Sequence, residues 1–161
     1  MLVNQNEIDF SVIVFALIYN ILIIAVFILR ANELYKYEER IGPLFDLLIV
    51  PFVVLLVLNL LNESDTGRIG TIIPIILYIA YDFWYRQATR QKPKHHPNQW
   101  PKELILYLIL FYFGGMAITG YSFIVSRENG LFVLTVFMLS IVAYFYYQIS
   151  YNKRKKLISP S

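Results

Sequence analysis

FSVIVFALIYNILIIAVFIL, residues Phe10 to Leu29, is twenty residues long and carries no charged side chain. A hydrocarbon core about 30 Å thick needs roughly twenty apolar residues to be crossed by a helix, so this run is long enough to span. Working outward, four more runs follow: Leu44 to Leu61, Ile69 to Tyr85, Leu104 to Val125 and Leu131 to Tyr151. With 58% hydrophobic residues and a mean hydropathy of +0.56 over 161 residues, the chain has the composition of an integral membrane protein. Strands of a membrane barrel would alternate apolar and polar residues in segments of about ten, whereas these runs are continuous. The expected fold is all-α, a bundle of five transmembrane helices in one membrane domain over residues 1–161. The connections are too short to fold a separate soluble catalytic module.

Orientation follows from the basic residues. If the N terminus lies outside, Arg30, Lys36, Arg40, Arg86, Arg90, Lys92, Lys94, Lys102, Lys153, Arg154, Lys155 and Lys156 all face the cytoplasm, and only Arg68 and Arg127 stay outside. The positive-inside rule then predicts an outer N terminus and a cytoplasmic C terminus, in a multi-pass protein of the plasma membrane. Glu7 and Asp9 precede the first span without a basic residue, which suits a short translocated tail. Without cysteine there is no disulfide, thiolate nucleophile or thiolate metal site.

Along the chain, the first span reads as a peripheral anchor, with Asn20 able to hydrogen-bond to a neighbouring helix. The segment RANELYKYEERIGP reads as a solvated amphipathic turn ended by Gly42 and Pro43. In the second span Pro51 predicts a kink, because it lacks a backbone donor and crowds the preceding turn. The short turn NESDTGR makes the second and third spans antiparallel neighbours. Counted at 100° per residue, Thr71, Ile75, Tyr78, Asp82 and Arg86 share one face of the third span. Asp82 and Arg86 form a candidate i, i+4 pair. Asp46, at a similar depth on the second span, extends this into a candidate polar site or pathway of Asp46, Tyr78, Asp82, Arg86 and Tyr144, since carboxylates inside apolar spans are default functional candidates.

The fourth span contains FGGMAITGYS, whose Gly114, Gly115, Thr119 and Gly120 let another helix approach closely, within the bundle or between protomers. The last span sets Ser140, Tyr144, Tyr147 and Tyr151 on one side; Tyr147 and Tyr151 suit an interface belt. The polar faces of spans three to five are expected to meet, with spans one and two shielding them from lipid.

The connection 86–103 contains Pro93, Pro97 and Pro101 and cannot be one continuous helix. Its Arg90, Lys92 and Lys94, with Lys153, Arg154, Lys155 and Lys156 of the tail, are candidate contacts for anionic lipid head groups. His95 and His96 are adjacent without a third histidine, so no metal site is expected. The string His96, Pro97, Asn98, followed by Glu103 just before a membrane helix, resembles the cytoplasmic R-H-P-x-Y or H-P-N-Y signature of isoprenylcysteine and phospholipid methyltransferases and steroid reductase-like enzymes. This chain has His95 and Gln99 where those enzymes have Arg and Tyr. The resemblance implies an enzyme acting on a lipid or prenyl substrate, with a cofactor at 86–103 and His96, Asn98 and Glu103 as its first catalytic candidates.

Three functions are thus expected in order. The first is a non-catalytic membrane subunit acting through helix packing, in a homo-oligomer or with other membrane subunits, with no cofactor and no nucleic-acid partner. The second is a small channel or transporter with a polar path between spans three and five. The enzyme is the third.

Overall fold

The computed structural model describes residues 3–89 and 102–158, and the side chains of 3–85 and 105–154. The described residues form α1 (Gln5–Ala31), α2 (Tyr35–Leu47), α3 (Ile49–Leu61), α4 (Thr66–Thr89), α5 (Lys102–Val125) and α6 (Arg127–Ile158), without a strand. Among the described residues, four helices are long and apolar enough to cross a membrane: Gln5–Ala31, Tyr35–Leu61 taken through its break, Ile105–Val125 and Arg127–Arg154. The third predicted run, inside α4, is not among them.

Local chemistry explains the boundaries. Asn4 caps α1, its side-chain oxygen accepting from the Asn6 amide at 3.1 Å. The helix ends in a left-handed turn: Glu33 takes φ 61°, its N–H donates to Arg30 O, and the Leu34 N–H donates back to Leu29 O. Glu63 (φ 53°) closes α3 in the same way, with Ser64 N–H on Asn59 O. Such turns satisfy the orphan carbonyls of a helix end and favour glycine, yet both here use glutamate.

Helices α2 and α3 are separated at Leu48. Pro51 offers no N–H to the carbonyl of Leu47, and the ladder instead tightens to Leu48 N–H on Phe45 O before resuming at Phe52 N–H on Leu48 O. The segment expected to be a solvated turn is helical from Tyr35, and Pro43 lies inside α2 instead of ending it. Pro43 deprives the carbonyl of Glu39, an exposed residue, so water can replace the lost donor.

The first helix is not a peripheral anchor. Ile8, Asp9, Val12, Ala16, Tyr19, Asn20, Ile23, Phe27 and Ala31 are all buried, and α1 packs against α2, α3, α5 and α6. It buries one face against these four helices and leaves Phe10, Ile21 and Ile28 exposed on the other. Asn20 donates to Ala16 O of its own helix at 2.9 Å, not to a neighbour. Tyr147, expected at the membrane interface, is buried with its ring stacked 6.4 Å from Phe27.

Both ends of the rods are tied together. Near the start of α1, Asp9 accepts from Tyr121 Oη near the end of α5. At the other end, Arg154 near the end of α6 donates to Ala31 O at 2.8 Å and pairs with Glu33. Helix α5 therefore runs from the Ala31 end to the Asp9 end. Since α3 finishes at the Asp9 end, where Gln5 Nε2 donates to Asn59 Oδ1, α4 must run the length of the bundle in between. Among the described residues, α1, the α2–α3 pair, α4, α5 and α6 lie side by side in alternating direction.

Glycines set two of the closest approaches. A Cβ on Gly114 would stand 3.3 Å from the backbone of Ile75 and Pro74, and one on Gly115 would stand 2.3 Å from the Phe137 ring. Thr119 Oγ1 donates to Gly115 O, and Gly120 faces Thr71. The small-residue face of the fourth span is thus used inside the chain, for α4 on one side and α6 on the other.

Candidate functional site

Two polar clusters occupy opposite ends of the bundle. At the Asp9 end the network is closed and well satisfied. Asp9 accepts from Arg68 Nε (3.2 Å) and Nη2 (3.1 Å), Tyr121 Oη (2.7 Å) and Gln5 Nε2 (2.9 Å). Gln5 Oε1 accepts from Ser64, and Asn62 Nδ2 donates to Val3 O. Arg68 also pairs with Asp65; the Arg68 backbone N–H, then its guanidinium, hold the Asp65 carboxyl below its usual pKa. The arrangement fastens the start of α1 to the α3–α4 turn and to α5.

The Ala31 end is different. A cavity of about 370 Å3 opens between α1, α2, α4, α5 and α6. Its apolar wall includes Ile23, Phe27, Phe45, Leu108 and Phe111, and its polar groups are Arg30, Glu38, Glu39, Asp46, Tyr78, Asp82, Tyr107, Tyr112 and Tyr144. Arg30 presents both Nε (2.9 Å) and Nη2 (2.7 Å) to Glu38 Oε1, with both side chains nearly buried. The Tyr78 and Tyr107 hydroxyls hydrogen-bond at 2.7 Å. Ring contacts run round the wall: Phe45 to Tyr78 at 5.9 Å, Tyr78 to Tyr107 at 5.3 Å, Tyr78 to Phe111 at 5.6 Å, and Phe27 to Tyr144 at 5.3 Å, all edge-on. Such T-shaped contacts are the favoured packing of aromatic rings and stiffen the wall.

Helical spacing explains how α2 contributes. Glu38, Gly42, Phe45 and Asp46 follow at four, three and one residues and line one side of the cavity. Glu38 stands one turn into the helix and Asp46 about 12 Å further along it. Behind this wall sits Tyr19, fully buried, with its ring 5.4 Å from Phe45 and 6.1 Å from Tyr78. Its hydroxyl has no hydrogen-bond partner among the described residues, and neither does Asn20 Oδ1.

Asp46, Tyr78, Asp82 and Tyr144, singled out from sequence, all line this one cavity; the side chain of Arg86 lies outside the described residues. His96, Asn98, Arg90, Lys92 and Lys94 also lie outside them, as do the side chains of Glu103, Lys155 and Lys156. Of the remaining basic candidates, Lys153 is exposed, while Arg154 is engaged with Ala31 and Glu33. Among the described residues no group of three His, Asp or Glu side chains is placed to hold a metal ion. Arg30, Glu38, Glu39 and Tyr107 were not singled out as site residues from sequence. The i, i+4, i+7, i+8 pattern from Glu38 to Asp46 was the available signal, masked by taking Gly42 and Pro43 as a stop. Compared with protein-family models, curated proteins and solved structures, the chain matches none.

Proposed function

We propose that the chain crosses the plasma membrane five times, N terminus outside and C terminus in the cytoplasm, and that the cavity at its inner end binds a small amphipathic molecule, as the substrate site of a carrier. In this reading α4 is the additional crossing. Its 24 residues extend about 36 Å, and Ile73, Leu77, Phe83 and Trp84 are exposed on its outer side, where lipid solvates them at no cost. The cavity itself is the observation that carries the proposal. Ligand sites between the helices of a bundle are concave and mostly apolar, with a few convergent polar groups, and this one also gathers charged groups that lipid could not solvate. The role in assembly loses its sequence argument, because Gly114 and Gly115 meet α4 and α6 of the same chain. The enzyme reading rests on His96 and Asn98, which lie outside the described residues.

Native mass spectrometry of the protein released gently from its own membrane tests the proposal. The wild-type chain is expected to retain a small molecule. Leu108→Trp, which fills the cavity from its α5 wall, is expected to fold and to release it. Retention of the same molecule by both proteins would place its site elsewhere and refute the cavity as the binding site.

A further inference from the structure

Resting on the cavity reading, we infer that the ligand carries a carbonyl oxygen that accepts a hydrogen bond from the Tyr19 hydroxyl: a ketone, ester or amide on an apolar body. Two buried side-chain atoms lack a partner among the described residues, Tyr19 Oη and Asn20 Oδ1. They are not equivalent. The Asn20 amide already donates to Ala16 O at 2.9 Å, and an under-used carbonyl is the commoner and milder omission in folded proteins. Tyr19 leaves a phenolic donor unpaired on a fully buried side chain, where the loss of water is costly. Similarly buried tyrosines are committed, Tyr78 to the Tyr107 hydroxyl at 2.7 Å and Tyr121 to Asp9 at 2.7 Å.

Helix geometry sets this hydroxyl at the blind end of the cavity. Tyr19, Ile23, Val26 and Arg30 follow at four, three and four residues and share one face of α1; the last three line the cavity. Tyr19 stands one turn deeper than Ile23, about 6 Å along the helix. Its ring packs on Phe45 and Tyr78 of the lining, and its hydroxyl lies within electrostatic reach of Tyr107 and Asp82, which also line the cavity. A molecule whose apolar body lies against Ile23, Phe27 and Phe111 brings a terminal carbonyl to this end, where it supplies the acceptor that the protein does not. The fold itself gains nothing from the hydroxyl, since phenylalanine would fill the same space. Departures of this kind, which cost stability, belong to functional sites.

Methyl β-naphthyl ketone is the probe, beside β-isopropenylnaphthalene, in which a methylene group replaces the carbonyl oxygen. Binding to the full chain in mild detergent is measured by calorimetry and compared between variants, so that partition into detergent cancels. Tyr19→Phe, which keeps the ring, is expected to weaken the ketone about fivefold, the worth of one net hydrogen bond, and to leave the alkene unweakened. The stretch of the bound carbonyl, read by isotope-edited infrared spectroscopy, is expected at lower frequency in the wild type than in Tyr19→Phe. Without ligand, the variant is expected to denature no earlier than the wild type. Unchanged ketone affinity, an equal loss for both compounds, or earlier denaturation of Tyr19→Phe overturns the Tyr19 assignment and leaves the cavity reading standing. If both compounds bind wild-type and Leu108→Trp protein alike, the cavity reading falls with it.

Discussion

Arg68→Leu lowers the unfolding free energy by about 3–5 kcal/mol, measured by reversible denaturation in bicelles. The Asp9 side chain is 7% exposed and Arg68 23% exposed, so the pair is largely withdrawn from water. Removing the guanidinium leaves the Asp9 carboxylate with Tyr121 and Gln5 as neutral donors, and an uncompensated buried charge is far costlier than the pair it came from. Asp9→Asn combined with Arg68→Leu is therefore more stable than Arg68→Leu alone. An effect below about 1 kcal/mol, the range of exposed surface pairs, would mean that water reaches Asp9 and that this end of the bundle is looser than described.

Gly115→Val destabilises by at least about 1–3 kcal/mol, the usual cost of overpacking. A Cβ at this position falls 2.3 Å from Phe137 Cε2, and Phe137 is itself buried at 2% exposure with no room to swing aside. Phe137→Ala in the same chain recovers part of the loss, because the ring is the obstacle. Gly70→Ala gives the opposite sign. Nothing lies within 4 Å of its Cβ, and a mid-helix glycine costs roughly 0.5–1 kcal/mol relative to alanine. Equal effects at the two glycines would contradict the α5–α6 packing.

What could be read in the sequence differs by element. The helices and their membrane character were legible because runs of about twenty apolar residues have few soluble uses, and the Pro51 break followed from the missing amide. The site was partly legible: Asp46 and Asp82 stand out because charge is rare inside such runs. Their company was not, since Arg30 and Glu38 sit in a segment whose Gly42 and Pro43 imitate a helix stop, and only tertiary packing carries the helix through them.

The buried face of α1 was hidden for another reason. A helix apolar on every side has no amphipathic face to point inward. Its two buried polar residues held the clue: Asp9 and Asn20 fall within about 20° of one line along the helix, which Ala16 and Phe27 share, and all four are buried. Asp9 instead read as part of a translocated tail, because its partner Arg68 lies 59 residues away and no local pattern links them.

Five crossings with the cavity at the inner end is the central claim, and the absence of cysteine makes it directly measurable. Single cysteines at Glu63, Glu39 and Lys153 are labelled with a membrane-impermeant maleimide in right-side-out and inverted vesicles. With five crossings, Glu63→Cys is expected to react only from outside, and Glu39→Cys and Lys153→Cys only from the cytoplasmic side. Labelling of Lys153→Cys from outside, with Glu39→Cys still inside, would mean that α4 does not cross and would contradict the proposed architecture.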